Sequence, residues 1–212
     1  MLIRKQDEES FHDQFAKNYN LDQIDVRRYF NQETSLEYRQ AMQQMGSIRN
    51  KKILDLGCGL GESAIFLALK QAQVTALDIS QEMLNVVNRL AQKYQVKSRL
   101  KTVKGEAENL PFPDASFDLV FGGNVLHHVD IPQTSKEIHR VLKPRGQAFF
   151  IEPLGYNPLI NLYRYLSRDV HTKMEHPFLF KDITLLGQNF RRVSHQESQL
   201  LTTLIFVWFF LI

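Results

Sequence analysis

A single cysteine, Cys58, stands among 212 residues, so no disulfide can form within the chain. Small secreted folds rely on several. The opening residues, Met1-Leu2-Ile3-Arg4-Lys5-Gln6-Asp7-Glu8-Glu9, hold no long apolar run of the kind a secretory leader needs. A cytoplasmic protein is the expectation. Runs of like charge are missing too. Arg27-Arg28, Lys51-Lys52 and Arg191-Arg192 are pairs, and the net charge is only +3. That pattern reads as solvated faces, not as a nucleic-acid surface. Apart from the adjacent pair His127-His128 the histidines are dispersed, and no cluster has metal-ligand spacing, so no metal is expected. There is no repeat. No apolar stretch reaches the about 20 residues of a spanning helix. The apolar end, residues 200–212, leaves three readings open: a buried final strand, an interfacial membrane contact, or the stump of a longer C-terminus.

What is present suits one soluble domain. The 43% hydrophobic and 23% charged fractions can fill a core. A helical cap over residues 1–47 is expected, with the main domain at 48–212 and a variable substrate region at 153–190. In the cap, Phe11, Phe15 and Tyr19 recur at four-residue spacing, a helical stripe. Such a stripe is either core or a lid over a pocket. Thr34-Ser35 can cap a helix through Met45, ended by Gly46.

Beyond the cap, strands and helices alternate. Strands are predicted over 53–56, 74–78, 100–103, 117–121 and 147–151. Ser80 can cap a helix whose Met83, Leu84, Val86, Val87, Leu90 and Ala91 share one face. A further helix is predicted over 132–142, stopped by Lys143-Pro144-Arg145-Gly146. After Glu152 the pattern loosens, to helices over 157–166 and near 183–186 and a strand over 190–194. Alternation of this kind predicts a Rossmann-like α/β fold, a doubly wound and mostly parallel sheet with right-handed crossovers. Its ligand belongs at the carboxyl ends of the strands. Gly57, Asp78, Glu106, Asn124 and Glu152 all fall there.

Strand one runs into Asp55-Leu56-Gly57-Cys58-Gly59-Leu60-Gly61-Glu62. Glycine accepts positive φ and holds no side chain between backbone and ligand. Two ligands compete for such a turn. A dinucleotide wants G-x-G-x-x-G, but here the spacing is G-x-G-x-G. Asp55 and Glu62 flank it, and carboxylates there would repel a pyrophosphate. S-adenosylmethionine carries an ammonium and a sulfonium instead, which carboxylates attract. Asp78, at the end of strand two, suits the ribose hydroxyls of either ligand. Glu106 and Ala107 follow strand three, where an exocyclic amine and a ring nitrogen of adenine can be met.

These segments carry a family resemblance. Ile-Leu-Asp-Leu-Gly-Cys-Gly-Leu-Gly-Glu, Thr-Ala-Leu-Asp-Ile-Ser-Gln-Glu-Met-Leu, Gly-Glu-Ala-Glu-Asn-Leu-Pro-Phe and Phe-Asp-Leu-Val-Phe-Gly-Gly-Asn-Val-Leu-His-His-Val resemble successive motifs of class I S-adenosylmethionine-dependent methyltransferases. They are most similar to the small-molecule, ubiquinone-biosynthesis-like branch, over residues 51–152. The resemblance implies that Asp55, Gly57, Gly59 and Gly61 hold the methionine end. It implies Asp78 and Ile79 for the ribose, Glu106 and Ala107 for adenine, and Gly123 and Asn124 for the amino or sulfur side. Gly122-Gly123-Asn124-Val125 departs from the Asn/Asp-Pro-Pro-aromatic run frequent in base and amide N-methyltransferases, which argues against base methylation.

Methyl transfer is a displacement at a sulfonium-activated carbon and needs in-line placement, and a base only when the nucleophile arrives protonated. His127, His128 and His176 are the candidate bases, with His12 a further one and structural hydrogen bonding the rival role. The expected function is methyl transfer to an oxygen or nitrogen of a small, hydrophobic acceptor. A nicotinamide-dependent oxidoreductase, or a methyltransferase-fold protein that binds without turnover, are the alternatives.

Overall fold

A parallel strand covered on both faces needs apolar residues throughout. In β1 (Lys52–Leu56) every residue after Lys52 is buried, Asp55 included. The computed structural model describes residues 2–24, 26, 36–156 and 177–197. Among the described residues, α1 (Leu2–Lys17), a short 3₁₀ turn at Leu21–Gln23 and α2 (Leu36–Met45) precede β1. After it come α3 (Glu62–Leu69), β2 (Gln73–Asp78), α4 (Gln81–Lys93), β3 (Leu100–Lys104), β4 (Phe117–Gly123), α5 (Ile131–Val141), β5 (Leu142–Ile151) and α6 (Phe180–Gly187).

The five strands form one sheet in the order β3-β2-β1-β4-β5, and every pairing is parallel. Chain order reverses between β1 and β4. The crevice outside their carboxyl ends is where such a sheet receives its ligand. The glycine turn leaves β1 on one side of that crevice, and Gly123-Asn124 leaves β4 on the other.

Local chemistry sets the helices. The Ser80 side chain accepts the Met83 N–H at 3.1 Å and starts α4, and all six apolar residues foreseen for its inner face are buried. Asp130 accepts the Gln133 N–H and starts α5 with Pro132 in its first turn, one residue earlier than predicted. Alternation along β1 sends Ile53 to the face packed by α3 and α4. Leu54 and Leu56 go to the opposite face with Ile138 and Val141 of α5. Asp55 shares the Ile53 face and therefore points toward the start of α3.

Two predicted elements differ. β5 starts at Leu142, which pairs with Phe117, and the register then jumps so that Gln147 faces Leu119. Residues 143–146, with Arg145 at φ 68°, form that irregularity directly after α5 ends at Val141. The strand expected over 190–194 is not formed. The Phe190 N–H bonds the Gly187 carbonyl in a turn after α6, and the Phe190 ring meets His139 of α5 edge-on. Its apolar surface is thus covered without strand pairing. The helix expected over 157–166, the Thr34-Ser35 cap, His176 and the apolar end at 200–212 lie outside the described residues.

Candidate active site

The turn after β1 depends on positive φ at three glycines: Gly57 at 62°, Gly59 at 51° and Gly61 at 91°. The reasons differ by position. A Cβ on Gly57 would come within 2.4 Å of Val125 Cγ2, and one on Gly61 within 2.7 Å of Val87 Cγ2. Gly59 has nothing within 4 Å of that position, so its bare backbone faces open space. Asp78 braces this turn from the neighbouring strand. Its Oδ2 accepts the Gly59 N–H at 2.8 Å, and its Oδ1 accepts the Ser80 N–H at 2.9 Å.

Three carboxyl groups crowd the turn. Asp55 Oδ2 accepts the Ser63 hydroxyl at 2.6 Å, while the buried Oδ1 has no hydrogen-bond partner. Burial pushes Asp55 up to about 7. The Ser63 hydrogen bond holds it back, and the charges of Asp78 and Glu62 add to the rise. Burial also raises Glu62, and it raises Asp78 against the N–H groups of Ser80 and Gly59. Stacking acids where water cannot solvate them is unfavourable unless a cation arrives. Burial raises the Cys58 thiol well above its ordinary range, so it is no nucleophile here.

The loop after β3 is clamped. Arg140 donates to the carbonyls of Leu110 and Phe112, and Glu137 accepts the Leu110 N–H. Glu108 accepts the Asp130 N–H at 3.1 Å. This holds Glu106 and the buried Ala107 at the end of β3.

Helix α1 lies across these strand ends. Lys5 pairs with both Glu106 and Glu108, and Lys104 pairs with Glu9. Asp13 accepts from the Ser80 hydroxyl and from the Glu82 N–H at the start of α4. The aromatic stripe makes none of these contacts: Phe15 is exposed and Tyr19 packs against the core. His12 is surrounded by acids of two elements, α1 and β2. Burial lowers its pKa, but Glu8 one turn earlier and the charges of Asp78 and Asp13 outweigh that and raise it.

At the end of β4, Gly123 lies against the Tyr38 hydroxyl of α2, 2.8 Å from where a Cβ would stand. Asn124 adopts φ 57°, and its N–H bonds the Ile151 carbonyl. His127 and His128 follow in a short 3₁₀ turn, Leu126–His128. His127 is buried, with Nδ1 2.6 Å from Glu152 Oε2. The His128 ring sits 4.1 Å from it between centroids, and its Nδ1 is 3.5 Å from Glu8 Oε1. A cavity of about 1830 Å³ borders this turn. Its lining includes Tyr38, Asn124, Leu126, Glu152, Phe178 and Ile183. Among the described residues no group of three or more His, Cys, Asp or Glu could hold a metal ion.

The fold brings Asp55, Gly57, Gly59, Gly61, Asp78 and the half-buried Ile79 together on β1 and β2, and Glu106 and Ala107 on the adjoining loop. Gly123, Asn124, His127 and His128 stand across the crevice. Sequence reading missed Lys5, Glu8, Asp13 and Tyr38, and gave Glu152 no role. The i,i+4 spacing of Glu8 and His12 was the one local hint.

A parallel sheet reversing at β1/β4, a bare glycine turn and a brace of acids define a Rossmann-like nucleoside-binding protein. The chain belongs to the class I S-adenosylmethionine-dependent methyltransferases, in their small-molecule branch. The methyltransferase domain model matches residues 54–150. The demethylmenaquinone methyltransferase of Bacillus licheniformis is 33% identical over 166 residues, covering 74% of this chain and 70% of that protein. Among solved structures, the YcgJ protein of Bacillus subtilis superposes with a TM-score of 0.59 at 25% identity, covering 74% of this chain and 68% of its own. An S-adenosylmethionine-dependent methyltransferase of Mesorhizobium loti shares the fold, with a TM-score of 0.50 at 24% identity over 62% of this chain and 54% of its own. The chain spans about half the length of several other demethylmenaquinone methyltransferases it matches, 46% to 56%. S-adenosylmethionine is the cofactor, and the nicotinamide reading is set aside.

The site's own features fit that cofactor. The orphaned Asp55 Oδ1 and the three acids with raised pKa values suit a ligand bearing positive charge. The open space at Gly59 suits close approach to backbone.

Proposed function

We propose that this chain transfers a methyl group from S-adenosylmethionine to a quinone-type small molecule. The observation that carries the reading is the cluster of Asp55, Glu62 and Asp78, all raised by burial around a glycine backbone. A dinucleotide's phosphates would meet repulsion there. The acceptor class rests on the names of the relatives, demethylmenaquinone and 2-phytyl-1,4-naphtoquinone methyltransferases.

In this reading Asp55, Gly57, Gly59 and Gly61 hold the methionine end, Asp78 and Ile79 the ribose, and Glu106 and Ala107 the adenine. Gly123 and Asn124 border the amino group and sulfur. Bound S-adenosylmethionine supplies an electrophilic methyl on a sulfonium. The chain's own part is to orient it, exclude water and receive a proton. The acceptor lies in the cavity beside α2, β5 and α6, whose Tyr38, Leu126, Phe178 and Ile183 offer an apolar wall. His127 and His128 are the described candidates for the base, and His176 remains a third. Residues 1–47 act as cap and lid, 48–212 as the catalytic unit and 153–190 as the substrate region. Against the expected oxygen or nitrogen, a reduced naphthoquinone offers ring hydroxyls and nucleophilic ring carbons and no nitrogen, so an oxygen or a ring carbon is the proposed target atom. The cytoplasm is the proposed location, and contact of the apolar end with a membrane surface would bring a lipophilic acceptor within reach.

Calorimetric titration with S-adenosylmethionine and its demethylated product tests the donor half, and absence of binding at millimolar ligand would sink it. Mass spectrometry of reduced naphthoquinones incubated with enzyme and cofactor tests the acceptor half. Binding without any methylated product across that panel would favour a silent binding protein.

A further inference from the structure

Three of the exposed large apolar side chains among the described residues gather at one place: Tyr156 at 54%, Phe180 at 40% and Val193 at 46% exposure. The Tyr156 and Phe180 rings stack at 5.0 Å between centroids, and Phe180 meets the His195 ring at 5.7 Å. The Tyr156 turn is pinned beside the start of α6, since the Gly155 N–H bonds the Phe178 carbonyl at 2.8 Å. The inner face of α6 is already committed. Leu185 and Leu186 pack with Leu126 and Ile131, and the Ser135 hydroxyl donates to the Leu186 carbonyl at 2.6 Å. Along the outer face, which carries Phe180 and Thr184, runs a hollow of about 740 Å³. Ile183, Gly187, Val193 and His195 line both this hollow and the cavity assigned to the acceptor. The exposed charge around it is mostly positive: Lys181, Arg191 and Arg192 are all exposed. Asp182 is buried, its Oδ2 accepting the Leu179 N–H at 2.8 Å, and the one exposed acid of residues 177–197 is Glu197, 3.9 Å from His195.

We propose that the outer face of α6, with Tyr156 and Val193, is the surface by which this chain docks on an anionic lipid bilayer, so that the mouth of the acceptor cavity opens against the membrane. The purpose of the contact rests on the quinone reading above, because a lipophilic acceptor partitions into the bilayer. The contact itself rests on the patch. Exposed aromatic rings beside Lys and Arg suit the headgroup boundary, where the rings enter the acyl edge and the cations meet lipid phosphates. The shared lining of the hollow and the cavity gives an acceptor a path from that boundary to the site. A second copy of the chain is a poorer occupant. A twofold pairing through this face would set the same three cations against one another, and charged residues are depleted from the cores of such interfaces. The docking is assigned to these described residues and not to the apolar end at 200–212.

The experiment is co-sedimentation of the full chain with vesicles of phosphatidylcholine, alone or mixed with phosphatidylglycerol. Wild type should bind the mixed vesicles, less so as salt rises, and absence of binding overturns the proposal. The combined Lys181→Glu, Arg191→Glu and Arg192→Glu variant should weaken that binding by about tenfold or more. Tyr156→Asp with Phe180→Asp should weaken it as strongly. All five side chains are exposed, so melts should match wild type and S-adenosylmethionine affinity should stay within about twofold. Wild-type vesicle binding in both variants overturns the proposal and moves the contact to another surface. Trp208, the only tryptophan, lies in the apolar end. With Trp208→Phe and Tyr156→Trp combined, the new indole should be quenched by brominated lipid, and an unquenched indole overturns the proposal. Self-association that Phe180→Asp abolishes, with no vesicle binding, would mark a dimer face and overturn it too. Vesicle binding needs neither cofactor nor acceptor. A chain that binds vesicles through this face yet methylates no naphthoquinone therefore supports the surface and counts against the acceptor reading alone.

Discussion

Asp78, the last residue of β2, accepts the Gly59 N–H at 2.8 Å and so fixes the turn that leaves β1. In the proposed reading, one carboxylate thereby serves both the ribose end and the methionine end of the site. Asp78→Ala should lower S-adenosylmethionine affinity by about 10- to 100-fold, from the roughly 1.5–3 kcal/mol typical of a hydrogen bond to a charged group. Titration calorimetry measures it. Affinity unchanged within twofold would show that Asp78 only supports the backbone.

The glycines should separate stability from binding. Gly57→Ala meets Val125 Cγ2 at 2.4 Å at a positive φ and should destabilise the fold by roughly 2–5 kcal/mol. Val125→Ala in the same chain should recover part of that loss. Gly59→Ala meets no neighbour, so its stability cost should be about 1–2 kcal/mol. Its cofactor affinity should fall by more than that of any other single turn variant that folds. Thermal melts beside calorimetry distinguish the two, and equal Tm loss at both positions would contradict the geometry.

Asp55 predicts an unusual pH dependence. An aspartate in the unfolded chain ionises near about 3.9, whereas burial raises Asp55 to about 7 in the fold. Between about pH 4 and 7 the folded state therefore binds a proton that the unfolded state has released. Stability should fall as pH rises through that window and level off above it. Asp55→Asn should make the slope shallower and be more stable than wild type at pH 8. Cofactor affinity should run the other way in wild type, rising as Asp55 ionises, and should lose much of that rise in Asp55→Asn. Melts and titrations at pH 5, 6, 7 and 8 check both signs.

Helix α1 is held over the site by Asp13 at the start of α4, where it accepts from Ser80 and Glu82. Asp13→Ala should cost about 1 kcal/mol, as loss of a capping side chain does. It should speed amide exchange across residues 2–17 and raise the cofactor dissociation rate several-fold. Exchange confined to the wild-type rate would mean that α1 is held by its other contacts.

Much of the architecture was written locally. β1 and β2 are legible because strands buried on both faces must be continuously apolar. α4 is legible because Ser80 and six residues at helical spacing leave no other packing. The cofactor turn is legible because only glycines serve at Gly57, Gly59 and Gly61. The strand expected over 190–194 failed because Phe190 packs in a turn against α5 while Val193 stays exposed, so no strand pairing is needed to bury the segment's one large ring. β5 began early because Leu142 found Phe117 as a partner, which the Pro144 and Gly146 signals could not reveal.

The sequence by itself determined the fold class, the donor and the residues at the strand ends, since each follows from spacing within a few residues. The tertiary structure alone decided how those ends are joined. Lys5 reaches Glu106 across 101 positions, Asp13 reaches Ser80 across 67, and Glu152 reaches His127 across 25. Such pairs depend on the strand order β3-β2-β1-β4-β5 and on where α1 crosses it. Periodicity reports which face of an element is buried. It carries no information about which distant side chain will stand opposite a charge, and here that opposition joins α1 to the strand ends and β5 to the turn after β4.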